Sequence, residues 1–255
     1  MPEGDTVYRA ARNLNLVLAR QTLTRCDIRV PEYATVDLTG ESVDDVVSRG
    51  KHLLIRVGEQ SIHTHFKLDG SWQIYRPGVK WRRPGWQARI ILANDKWVTV
   101  GFQLGVVEVV PRNAESTVVG HLGPDPLGRD WEAGEALRRL LSGPGTPVGL
   151  AIVDQRLIAG LGNVYRSELC FLRGVLPTRP MGEVDKPEKL VELAQRLLDA
   201  NKNRVERTTT GKLRGATSWV YRRDGKPCYR CDTMILRGIL GDPPRDVYWC
   251  PRCQD

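Results

Sequence analysis

The chain predicts an α+β protein: a β-sandwich led by a helix, then a helical domain ending in a metal-stapled hairpin. Three observations lead there. Short β-branched or aromatic runs alternate with turn residues between His52 and Val110. A helical period then takes over, and two C-x-x-C pairs close the chain.

Val7, Ala10, Ala11, Leu14, Val17 and Leu18 recur at helical spacing, which predicts a helix from near Asp5 or Thr6. Strands are predicted over 52–57, 61–66, 71–75, 87–93, 96–100 and 106–110, each bounded by Gly, Pro, Asn or Asp. So many short strands in so little chain imply a sandwich. A stretch richer in Gly and Pro, 121–128, reads as a connection. Helices are expected over 132–141, 147–159, 163–173 and 187–200, while the polar, Gly-containing 208–216 reads as a loop. The implied division is a sandwich over 1–115, a connection over 116–131, a helical domain over 132–223 and a finger over 224–255.

Cys228-Tyr229-Arg230-Cys231 and Cys250-Pro251-Arg252-Cys253 are separated by eighteen residues. Two knuckles at that spacing suit a tetrahedral four-thiolate zinc site with a β-hairpin between them. So short a segment buries too little apolar surface to hold itself, and a metal supplies what is missing. Two disulfides or four unrelated thiols are the alternative. Cys26 and Cys170 lie far off and read as small buried hydrophobes.

Net charge is +8, and residues 201–255 hold twelve Lys and Arg against six Asp and Glu. A basic end beside a zinc site points to a polyanion, nucleic acid first. No apolar run is long enough to span a membrane, and charges stand where a signal peptide needs an apolar core. A reducing intracellular setting, cytoplasm or nucleoid, is therefore expected. His63 and His65 share one strand face and read as structural, and the seven Trp residues read as packing. Gly160 and Gly162 bracket a tight reversal between two apolar helices, with Asn163 placed to cap the second. A helix N-terminus of that kind can hold a phosphate oxygen, although most Gly-rich turns are only turns.

That turn, the opening Met1-Pro2-Glu3-Gly4 and the cysteine finger together resemble the formamidopyrimidine-DNA glycosylase/endonuclease VIII family. Further local matches are Arg49-Gly50-Lys51-His52, Leu122-Gly123-Pro124-Asp125-Pro126-Leu127 and Tyr248-Trp249-Cys250. The finger and the segment Tyr221–Cys228 lean toward the endonuclease VIII branch. The resemblance implies a DNA-repair enzyme, acting as a monomer on damaged DNA, with one structural zinc and no organic cofactor.

By resemblance Pro2 is the nucleophile once Met1 is removed. A terminal amine suits that role, since its pKa of about 7.7–8 leaves roughly one molecule in ten unprotonated at neutral pH. A lysine, at about 10.4, leaves well under one in a thousand. The amine displaces the damaged base and forms an iminium, and elimination then breaks the strand. Glu3 matches the proton donor, Lys51 a phosphate contact that assists the first elimination, and Arg245 a phosphate grip that assists the second. Asn163 shares that grip. Leu68, beside Lys67, falls where a wedge fills the space vacated by the flipped nucleotide. The loop 208–218 falls where family members close over the extruded base.

Three departures stand out. Val100-Gly101-Phe102-Gln103-Leu104-Gly105 lacks an Arg that some members place opposite the lesion. Thr6 stands for a frequent Glu, and Val247 for a frequent Thr. Oxidised pyrimidines are thus favoured over oxidised purines, with tolerance of single strands and bubbles. The rivals are a lesion binder that does not cut and a zinc-ribbon protein of another machinery.

Overall fold

The computed structural model describes residues 2–255, so the expected removal of Met1 lies outside the described residues. The chain forms two compact units that meet in sequence between His121 and Leu122. No helix among the described residues is long and apolar enough to cross a membrane.

The first unit opens with α1 (Gly4–Leu18), whose Val7, Ala11, Leu14 and Leu18 form a buried stripe. Eight strands follow: β1 (Arg25–Ile28), β2 (Val43–Arg49), β3 (His52–Val57), β4 (Gln60–His65), β5 (Ser71–Tyr75), β6 (Ala88–Ala93), β7 (Val98–Phe102) and β8 (Val106–Pro111). They make two antiparallel four-stranded sheets, ordered β1-β6-β7-β5 and β2-β3-β4-β8. Ile28, Ile90 and Leu92 of one sheet share a core with Leu53, Ile55, Ile62 and Val107 of the other and with the α1 stripe. This is the expected helix-led sandwich.

Two strands escape the sequence pattern. β1 is a short, half-exposed edge, and β2 carries Asp44 and Asp45 at a bulge that breaks its alternation. The strand expected over 96–100 starts instead at Val98. Asn94 draws the backbone N–H groups of Lys96 and Trp97 to its Oδ1 at 3.0 and 2.9 Å, which makes a turn of them. Gly101 then lets the strand run on, because a Cβ there would lie 2.5 Å from Leu104 and 2.7 Å from Ile90. Trp86 is 73% exposed, so it does not pack as expected of the tryptophans.

The second unit holds the helices. The short α2 (Ser116–Val119) precedes it; α3 (Ala133–Leu141), α4 (Val148–Ala151), α5 (Asn163–Arg173) and α6 (Pro187–Asn201) follow, then the hairpin β9 (Leu236–Leu240) and β10 (Arg245–Trp249). The helix expected over 147–159 stops after one turn. The side chains of Asp154 and Gln155 offer the backbone other partners: Asp154 accepts from Arg156 N–H at 2.9 Å, and Gln155 donates to the carbonyls of Val153 and Leu161. Helix, two turns and helix result.

All four histidines pack at one end of the sandwich. His52 stacks on His63 with ring centroids 5.0 Å apart, and meets the edges of His65 and His121. The Glu108 carboxylate, 3.2 Å from His63 Nδ1, can only accept. Neutral His63 therefore protonates Nδ1 and accepts at Nε2 from His52 Nδ1, 2.8 Å away. Burial, then the charges of neighbouring groups, pushes His52 down to about 3 and His65 to about 4; burial also lowers His63. His52 and His65 stay neutral in the fold while the unfolded chain takes up protons below 6.5, so stability falls as pH falls. Tm is expected to drop by at least about 5 °C between pH 7 and pH 5, and by less in His52→Gln. A flat Tm across that window contradicts the burial assigned to the cluster.

Candidate functional site

Glu3 starts α1 as its N-cap: its carbonyl accepts the N–H groups of Thr6 and Val7 at 2.9 and 3.1 Å, and its residue is fully buried. Pro2, one residue earlier, is half-buried. Sequence adjacency thus sets Pro2 beside a buried carboxyl.

Lys51 sits at a hairpin tip, just before β3. Arg49 pairs with His52, so Gly50 and Lys51 form the two-residue turn between β2 and β3, with Gly50 at φ +56. The charges of Lys67 and Lys51 both bear on His65, which places the two lysines at one end of the sandwich. Lys67 adopts φ +53, and its N–H donates to His65 Nδ1 at 3.0 Å. That bond turns the chain so that Leu68 stands 61% exposed at the tip of the 66–70 loop. The stem packs against the β7–β8 turn, where a Cβ on Gly105 would lie 2.2 Å from Lys67 Cγ. Gln103, in the same turn, has φ +48 and its Oε1 accepts from Arg83 at 2.8 Å. The wedge candidate and the segment lacking an Arg are therefore neighbours.

In the second unit the reversal before α5 departs from expectation in one detail. Gly160 has φ +88, but Gly162 is extended and is itself the N-cap, so Asn163 is the first helical residue. Gln155 Oε1 accepts the Gly160 N–H at 3.0 Å, and Pro124 accepts the Ala159 N–H at 3.0 Å. The Leu122–Leu127 segment thus braces the turn. Freed from capping, Asn163 Oδ1 accepts from the guanidinium of Arg166, a buried side chain with 1% exposure. Arg166 also donates to the carbonyls of Asp246 at 2.9 Å, Arg245 at 3.3 Å and Leu240 at 3.4 Å. One cation ties the Asn163 turn to the hairpin that presents the exposed Arg245.

Glu168 does the same for the 208–218 loop. Fully buried, it accepts the backbone N–H groups of Trp219, Val220 and Tyr221 at 2.8, 2.9 and 2.8 Å and the hydroxyl of Thr209. Asn201 holds Thr208 by two bonds of 2.8 and 2.9 Å. Both ends of the loop are fixed while its tip, with Leu213 64% exposed, stands in solvent. Arg166 and Glu168 were missed in the sequence because charged residues on a helix read as a solvated face. The signal was available: Val164, Tyr165, Leu169, Cys170 and Phe171 leave that helix no polar side.

The four cysteines converge. Their sulfurs all lie within 4.8 Å, with Cys228–Cys253 at 3.9 Å, Cys231–Cys250 at 3.5 Å and Cys231–Cys253 at 3.4 Å. All are free thiols. Thiolates ~2.3 Å from a zinc ion stand about 3.8 Å apart in a tetrahedron, so the set fits that metal.

Sequence profiles of two domains match the chain: the formamidopyrimidine-DNA glycosylase N-terminal domain over residues 1–103 and the formamidopyrimidine-DNA glycosylase H2TH domain over 122–212. The chain is 50% identical to a probable endonuclease 8 2 of Streptomyces coelicolor, covering 100% of this chain and 94% of that one. It is 48% identical to the DNA-(apurinic or apyrimidinic site) lyase Nei2 of Mycolicibacterium smegmatis, covering 100% and 99%. Its fold is similar to MutM bound to DNA containing carbocyclic 8-oxo-G, with TM-score 0.83, 19% identity and full coverage of both chains. It is also similar to Lactococcus lactis Fpg bound to abasic-site DNA, with TM-score 0.82, 19% identity and 99% coverage of each.

Glu168→Gln halves the charge-assisted acceptors of three backbone N–H groups and is expected to lower unfolding free energy by about 2 kcal/mol. The exposed Glu188→Gln is the control. Denaturant unfolding measures both, and equal midpoints contradict the anchoring role.

Proposed function

The chain belongs to the formamidopyrimidine-DNA glycosylase family of DNA-repair glycosylases and lyases, and from that premise we propose how this member works. Pro2 nitrogen attacks the anomeric carbon of the damaged nucleotide, and the glycosidic bond breaks with the base leaving. Glu3 gives its proton to the departing base, takes up the proton released by the attacking Pro2 nitrogen, and passes it to the ring oxygen as the sugar opens and the iminium forms. The iminium acidifies the adjacent carbon. Loss of that proton expels the 3′ phosphate, and a second elimination expels the 5′ phosphate. Lys51 assists the first step and Arg245 the second, each through phosphate contacts.

The observation that carries this reading is the pairing at the chain's start: Pro2, whose nitrogen becomes a terminal imino group once Met1 is removed, followed by the fully buried Glu3. Arg166 supports the phosphate roles of Asn163 and Arg245 by fixing both segments to one side chain. Leu68, on the loop beside Gly105, fills the gap left by the flipped nucleotide, and Lys67 beside it binds the DNA. The four cysteines hold a zinc ion, which supplies folding energy to the finger and takes no part in the reaction. Elemental analysis giving one zinc per chain supports that assignment, and a metal-free native chain refutes it.

Oxidised pyrimidines are the favoured substrates. The 100–105 segment lacks the Arg that some members place opposite the lesion, and Oε1 of its Gln103 is already engaged by Arg83, so the partner base is read weakly. Rates on a lesion opposite G, opposite A and unpaired should be comparable, and a strong preference for one pairing contradicts that reading.

Borohydride should trap the chain beginning at Pro2 onto lesion DNA, because an iminium is reduced to a permanent crosslink. Retained Met1 should abolish trapping, and Glu3→Gln should slow base release by at least about 100-fold. Equal trapping with Met1 retained places the nucleophile elsewhere.

A further inference from the structure

We propose that the first unit carries a second nucleic-acid site, a cavity between α1 and β5 that takes one unpaired nucleotide. The cavity measures about 640 Å³, within the ~300–1,000 Å³ of small-ligand sites. Four cations line it, Arg9, Arg76, Lys80 and Arg82, and no Asp or Glu does. Such a lining concentrates positive potential and selects an anion. It also contains Trp72 and Trp97, which selects a ligand with a flat face.

Arg76 combines the two features. Its guanidinium lies 3.7 Å from the centre of the Trp97 ring, and its Nη1 donates to the Lys96 carbonyl at 3.4 Å. The cation is thereby held as a plane on which a base can stack. The following loop is pinned above β5, because Arg82 N–H donates to the Tyr75 hydroxyl at 3.1 Å. Lys80 and Arg82 therefore stay at the rim, where a phosphate would sit. Ser71 Oγ, on the wall, is buried and has no hydrogen-bond partner. A buried hydroxyl left open in this way is costly unless a ligand or water completes it.

The occupant has an aromatic ring and a phosphate, which is a nucleotide. Position favours a nucleotide still in a strand: Phe66 and Gly70, on either side of Leu68, also line the cavity. A residue unstacked beside that loop would enter directly. The assignment of the polymer as DNA rests on the repair function above, whereas the cavity's chemistry does not.

The test uses the full chain beginning at Pro2, with an undamaged oligothymidylate of about ten nucleotides and with dTMP. The oligonucleotide should bind the Lys80→Ala/Arg82→Ala variant about fivefold or more weakly than the parent. Its salt slope should fall by about 1.4, the share of two single-strand phosphate contacts. Both residues are exposed, so the fold should survive, and the Lys80→Ala single variant should show half the loss in slope. Borohydride trapping on saturating lesion duplex should be unchanged. Movement of the Trp72 and Trp97 indole NMR signals by dTMP alone supports the site and extends it to free nucleotides. Unchanged oligonucleotide affinity with unmoved indoles overturns the proposal, as does loss of trapping in the variants. Failure of the parent to trap, with the affinity loss intact, defeats the catalytic reading and leaves this site standing.

Discussion

Three consecutive residues of α5 set the architecture of the second unit. Arg166 holds the carbonyls of the β9–β10 hairpin, the Ser167 hydroxyl accepts the Tyr248 N–H at 3.3 Å, and Glu168 holds the ends of the loop. Successive side chains of a helix point about 100° apart, so one turn reaches three directions. Burying a charge costs several kcal/mol unless its hydrogen bonds are made. Here the partners are mostly backbone groups, whose positions follow from the local fold. Any slip of the hairpin or the loop would strand a charge in the interior, and that penalty fixes their register.

The finger depends on the same helix. Its core of Val220, Cys228, Ile235, Tyr248 and Cys250 packs with Phe171 from α5. The cysteines close the end of a hairpin whose other end Arg166 already fixes. Arg245, exposed at the start of β10, is therefore held from both sides, the rigid base that its proposed grip on phosphate calls for. In the first unit the corresponding devices are turns: Gly50 sets Lys51 at a hairpin tip, and the His65 imidazole holds the N–H of Lys67 beneath Leu68.

Much of this was legible in the sequence, and the misses have physical causes. Periodicity identified α1, α5 and α6 and most strands because their apolar positions face one core. It missed β1 and β2, an exposed edge and a bulged strand, because neither alternates. It overran α4 because Asp154 and Gln155 end that helix through side-chain bonds that no hydropathy pattern registers. Spacing located the cysteines and the glycine turn, while Asn163 was misjudged as a cap because Arg166, its true partner, looked like surface. The cavity beside α1 was hidden for another reason: its cations and tryptophans are scattered from residue 9 to residue 97 and meet only in the fold.

The central claim is that Arg166 places Arg245 for DNA without touching DNA itself. A double-mutant cycle with Arg166→Met and Arg245→Ala, read as affinity for abasic-site duplex, tests it most directly. If the claim holds, each single change weakens binding and the double variant is little worse than Arg166→Met alone, a coupling of about 1 kcal/mol or more. Losses that simply add would show that the two residues act independently, and the account would fail.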